Sequence, residues 1–139
     1  MRLVLVLVLV LVIVLDTRAS ADSWELKVPE KLELVAGASG TLAIALVLDR
    51  GYAISKDAAL VLDLAPDAGL AVKRKRLGRA DAVDPDADAP RFAISLHAAA
   101  AGDYTMKLHL RFWLCAKQTC RPIDARRSVT VAVAAAAPP

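Results

Sequence analysis

Between positions 103 and 115 the chain alternates without a break. Tyr104, Met106, Leu108, Leu110, Phe112 and Leu114 fall on one side of a two-residue repeat. Thr105, Lys107, His109, Arg111, Trp113 and Cys115 fall on the other. Only an extended strand separates the two sets; a helix would scatter both around its surface. The same period runs through 23–28, through 40–48 with Leu42, Ile44, Leu46 and Leu48 on one face, and through 91–96 with Phe92, Ile94 and Leu96 together. It closes with Val129, Val131 and Val133 in 127–133. Shorter extended pieces are predicted at 31–35, 52–55, 59–64 and 70–73.

Turn residues divide these runs: Pro29, Gly37 to Gly40, Asp49-Arg50-Gly51, and Pro66 to Gly69. Residues 78–90 are rich in Asp, Ala and Pro and read as a loop. Ala98 to Ala101 is too short to nucleate a helix alone. Seven or eight short strands separated by regular turns predict an all-β protein, an antiparallel β-sandwich of immunoglobulin-like type.

The N-terminus changes the compartment rather than the fold. Met1-Arg2 is followed by an unbroken Leu, Val and Ile run from Leu3 to Leu15, and then by the small residues Ala19-Ser20-Ala21. As a helix that run spans about 20 Å, short of the roughly 30 Å hydrocarbon core. A signal-peptide helix over 1–21 is predicted, with cleavage after Ala21. The rival is an uncleaved anchor, because Asp16 and Arg18 lie near the cut. Residues 22–133 then form one β-sandwich domain, and 134–139 a flexible tail. The expected location is periplasmic or secreted, with no membrane association after cleavage. A net charge of +3 over 139 residues argues for no particular partner, and nucleic acid is not expected. A monomer is the expectation.

Candidate chemistry rests on Cys115 and Cys120, the only cysteines. An exported pair meets an oxidising environment and is expected to be joined. Directly opposed residues on antiparallel strands have Cα atoms about 4.5 to 5.5 Å apart, within disulfide range. Such a small loop is worth about 2 kcal/mol in the chain-entropy model, against about 4.7 for a 100-residue loop. Two readings stay open. The bond is a permanent staple in a non-enzymatic secreted binding domain, or it is a redox-active pair. Arg111, Lys117 and Arg121 supply positive charge that would favour a thiolate. Trp113 shares the predicted face of Cys115 and is placed to shield the sulfurs or dock a partner.

The segment Phe112-Trp113-Leu114-Cys115, four residues, Cys120-Arg121-Pro122 resembles the strand–Cys–turn–Cys–x–Pro segment of the periplasmic N-terminal domain of the thiol:disulfide interchange protein DsbD family. Arg50-Gly51-Tyr52-Ala53-Ile54-Ser55-Lys56-Asp57 resembles the Gly-Tyr segment of the same domains. The resemblance implies an immunoglobulin-like fold and an electron shuttle between thioredoxin-like or other periplasmic thiol proteins. Cys115 and Cys120 would be its redox pair; the residues leave open which of them forms the mixed disulfide, and the family pattern favours Cys120. The cysteine spacing here is shorter than in that family. The loop at 78–89 carries no aromatic residue, leaving Trp113 or Tyr52 to cover the sulfurs.

Other chemistry finds little footing. His97 and His109 are the only histidines, and Met106 alternates onto the face opposite His109, so no copper set with the thiols is expected. Asp81, Asp84, Asp86 and Asp88 lack the Gly and terminal Glu of a calcium loop. No nucleophile-elbow motif is present. No metal and no cofactor are predicted. Lys73-Arg74-Lys75-Arg76 with Arg79 reads as a solvated edge.

Overall fold

The computed structural model describes residues 23–137; the predicted signal segment lies outside them. Ten strands form two sheets. β1 (Trp24–Lys27), β3 (Ser39–Leu48), β8 (Phe92–Ala98) and β6 (Leu70–Val72) make the first, in the order β1-β3-β8-β6. The second runs β2 (Lys31–Val35), β10 (Thr119–Ala134), β9 (Gly102–Ala116), β5 (Val61–Pro66) and β7 (Arg76–Gly78). β4 (Tyr52–Ile54) also pairs with β9. All pairings are antiparallel except β2 with β10.

The alternation places the core. On one sheet Leu42 and Ile44 lie opposite Ile94 and Phe92, with Leu46 and Leu96 further along the same face, and Met106, Leu108, Leu110, Phe112 and Leu114 line the other; all are buried. One aromatic contact joins the sheets directly. Trp24 on β1 meets Phe112 on β9 edge to face, with ring centroids 5.8 Å apart at 87°.

Two features make the sandwich immunoglobulin-like. The order β1-β3-β8-β6 against β10-β9-β5 is the four-plus-three Greek-key arrangement of that fold. At the turn into β9, Tyr104 donates its hydroxyl to the carbonyl of Ala100 at 2.8 Å, the tyrosine corner that such domains carry at this bend. The ring lies over Gly69, where φ is +95° and an added Cβ would come within 2.9 Å of it. Only glycine satisfies both the left-handed backbone and the ring.

The last strand is longer than the alternation predicts. It begins at Thr119 rather than near 127, and its register with β9 runs unbroken from Thr119↔Ala116 to Val133↔Gly102. Pro122 argues against a strand in sequence, yet it costs the ladder nothing. Thr130 donates its amide to Glu30, so even-numbered residues of β10 turn their N–H away from β9. β2 reaches only as far as Thr130, so position 122 has its missing N–H on an open edge.

The Asp-rich loop also departs from expectation. It opens with a 3₁₀ turn at Arg79–Asp81 and is tied down by Arg79. That guanidinium donates to the carbonyls of Pro85 and Ala87 within the loop and of Ile54 and Ser55 at the end of β4. Asp88 in turn accepts from the amide of Ile54 at its backbone oxygen. Arg79 is therefore a clamp rather than part of a solvated basic edge.

Candidate functional site at the tip of the β9–β10 hairpin

Cys115 and Cys120 are direct register partners, and their sulfurs are bonded, with Cα atoms 4.0 Å apart. This is the closely spaced kind of antiparallel pair, in which side chains approach most nearly. Beyond it Ala116 and Thr119 still pair, leaving Lys117 and Gln118 as a two-residue loop. Lys117 takes φ of +56°, the left-handed conformation a tight hairpin loop requires. The four-residue connection predicted from sequence is thus half strand.

Alternation puts the disulfide on the outward face of the larger sheet. Trp113 stands one step down the same face, 42 % exposed, opposite Pro122 on β10. Cys115 is half-buried and Cys120 exposed. β4 flanks the tip on the other side of β9, with Ala53 opposite Cys115 and the amide of Ser55 donating to the carbonyl of Trp113.

The other predicted residues do not converge on the sulfurs. Tyr52 pairs with Ala116, one position out of step with Cys115, so it faces the core and packs against it. It cannot cover the disulfide, and the expectation that it shields the bond is corrected by that single-residue register. Arg121 pairs with Leu114 and so emerges on the core-facing side of β10. Arg111 shares the face of Cys115 but lies two steps down, where its Nη2 donates to Asp63 Oδ2 at 2.9 Å. Lys117 sits in the loop itself.

Down the strand from Trp113 the outward face becomes a charged network. Asp63 accepts from Arg76 Nε at 2.7 Å and Nη2 at 3.2 Å as well as from Arg111. The Arg76 hydrogen bond, its charge and those of Arg111 hold the Asp63 carboxyl below the usual carboxylate range. His109 places Nε2 at 2.8 Å from Asp124 Oδ2, and this hydrogen bond, ahead of the charges of His109, Arg126 and Arg111, lowers the Asp124 carboxyl likewise. Met106 is buried on the opposite face from His109. Among the described residues, no three His, Cys, Asp or Glu side chains are grouped to hold a metal ion.

The fold and this tip define a class: an immunoglobulin-like β-sandwich with a disulfide across its last hairpin. No family model matches the chain, and no curated protein is significantly similar in sequence. Among solved structures it is distantly similar to AggA, the major subunit of aggregative adherence fimbriae type I from Escherichia coli. That match has a TM-score of 0.41 and 11% identity, and covers 79% of this chain and 93% of that one. Murine CRIg gives a TM-score of 0.41 and 10% identity over 79% and 97%. The CooA pilin subunit of enterotoxigenic Escherichia coli gives 0.31 and 14% over 80% and 98%. Among the described residues, no helix is long and apolar enough to cross a membrane.

Proposed function

We propose that the chain is a non-enzymatic binding domain of an exported protein, and that Cys115–Cys120 is a permanent staple. One observation carries this reading. The bond joins residues that an unbroken backbone ladder already holds opposite each other. Opening it releases no segment and moves no element, so redox change has no conformational output. The cations expected to activate a thiolate support the same reading, since Arg111 is committed to Asp63 and Arg121 lies on the other side of the strand. What the staple does is stiffen the tip that displays Trp113. An exposed indole on a rigid hairpin is a suitable binding anchor, because little ordering entropy remains to be lost on contact.

The double variant Cys115→Ser, Cys120→Ser tests the mechanical role. It should keep a cooperative unfolding transition and lose about 2 kcal/mol. At this size that is a fall of roughly 5–10 °C in thermal midpoint by differential scanning calorimetry. A double variant that melts with the wild type would contradict the staple.

A further inference from the structure

The outward face of the larger sheet holds a second feature, away from the disulfide. A shallow hollow of about 560 Å³ opens over β5, β9 and β10, walled by Lys107, His109, Arg126, Arg127 and Asp63. Its floor is low because Ala65 and Ser128 flank Lys107 in register on either side. Arg127 occupies a core-facing register position opposite Leu108 but is exposed. β2 begins opposite Thr130, so no neighbouring strand confines this side chain at the open edge, and Arg127 is among the residues that line the hollow.

The charges there do not balance. Asp63 takes three hydrogen bonds from Arg76 and Arg111, so its carboxylate is already matched. Asp124 is held by His109 at 2.8 Å and lies 3.8 Å from Arg126. Lys107 and Arg127 make no ion pair among the described residues. The Arg127 guanidinium donates to the carbonyl of its neighbour Arg126, at 2.8 Å. Lys107 and Arg126 are diagonal cross-strand neighbours, within reach of one another, and like charges so placed repel. Such a cluster is satisfied by an anion. The hollow falls within the range of small-molecule sites, roughly 300–1,000 Å³, and is far larger than a bare tetrahedral ion needs.

We infer that this hollow binds a phosphate or sulfate group carried on a larger organic body, with Lys107, Arg126 and Arg127 as its ligands and Ser128 as a neutral donor. Guanidinium forks and an ammonium group match the oxyanion's several acceptor oxygens. The inference rests on the binding-domain reading and names the chemistry of one ligand. It does not depend on whether the disulfide is permanent.

The test is a titration of the isotope-labelled protein, followed by amide chemical shifts. The probes are inorganic phosphate, inorganic sulfate, glucose 6-phosphate and glucose 6-sulfate, each against sodium chloride at matched ionic strength. Saturable shifts confined to the amides around 107 and 126–128 are expected, with a sugar ester binding more tightly than its bare ion. Whichever ester binds more tightly identifies the group. The double variant Lys107→Gln, Arg127→Gln should weaken binding roughly tenfold or more. Lys27→Gln removes one cation from β1, in the other sheet and outside the hollow, and should leave binding unchanged. Shifts that follow sodium chloride, or that spread over lysines and arginines generally, would mean screening only and would overturn the inference. They would leave the staple intact, because that stands on the stability of the cysteine variant.

Discussion

Alanine in place of Phe112 should lower the unfolding free energy by about 4 kcal/mol, the largest effect expected of any single truncation in this core. Phe112 is 2 % exposed, toward the C-terminal end of β9, with Leu110 and Leu114 on the same face. It also carries the edge-to-face contact with Trp24 that ties β1 to the opposite sheet. Truncation therefore removes the transfer energy of the ring, leaves a cavity, and breaks an aromatic contact between layers. Domains of this size hold about 5–15 kcal/mol in total, so the variant should sit near its unfolding threshold. Urea unfolding should show a lower midpoint with an unchanged slope. A loss below about 1.5 kcal/mol would mean that the sheets close over the gap and that this contact does not set their spacing.

Arg79→Ala should cost about 3 kcal/mol, unusual for a half-buried residue in a loop. The guanidinium satisfies four backbone carbonyls drawn from two segments far apart in sequence. Without it those oxygens must find water inside a packed loop, and the fold between 82 and 90 loses the Arg79 part of its attachment to β4, leaving the bond from the Ile54 amide to Asp88. The conservative variant Arg79→Lys should recover little of the loss, since a single ammonium cannot span the same four acceptors. Because β4 pairs with β9 beside the disulfide, amide hydrogen exchange at Ile54 and Ser55 should rise in both variants. A lysine variant as stable as the wild type would show that charge alone, and not the planar fork, secures the loop.

Legibility in the sequence differs from strand to strand. β9 is legible because one of its faces is buried and the other wet, which gives clean alternation. The start of β10 is not. Its core-facing positions hold Arg121, Ile123, Ala125 and Arg127, of which only Ile123 is both large and apolar, and Pro122 points the wrong way unless the open edge is known. Arg79 reads as one more surface cation because its partners are carbonyl oxygens, which leave no mark in sequence. Tyr52 reads as a cover for the sulfurs because the loop at 78–89 has no aromatic residue, yet a register offset of one residue sends it to the other face. The basic hollow follows from the cysteines themselves. Once Cys115 is set opposite Cys120, counting outward along both strands brings Lys107 opposite Ser128 and His109 opposite Arg126.

The most direct test of the account is the reduction potential of Cys115–Cys120, read by equilibrating the protein in dithiothreitol redox buffers and trapping free thiols. A permanent staple predicts a potential below about −300 mV, beyond the reach of a glutathione pool. A value near or above roughly −230 mV would place the pair among exchangeable disulfides and contradict the account.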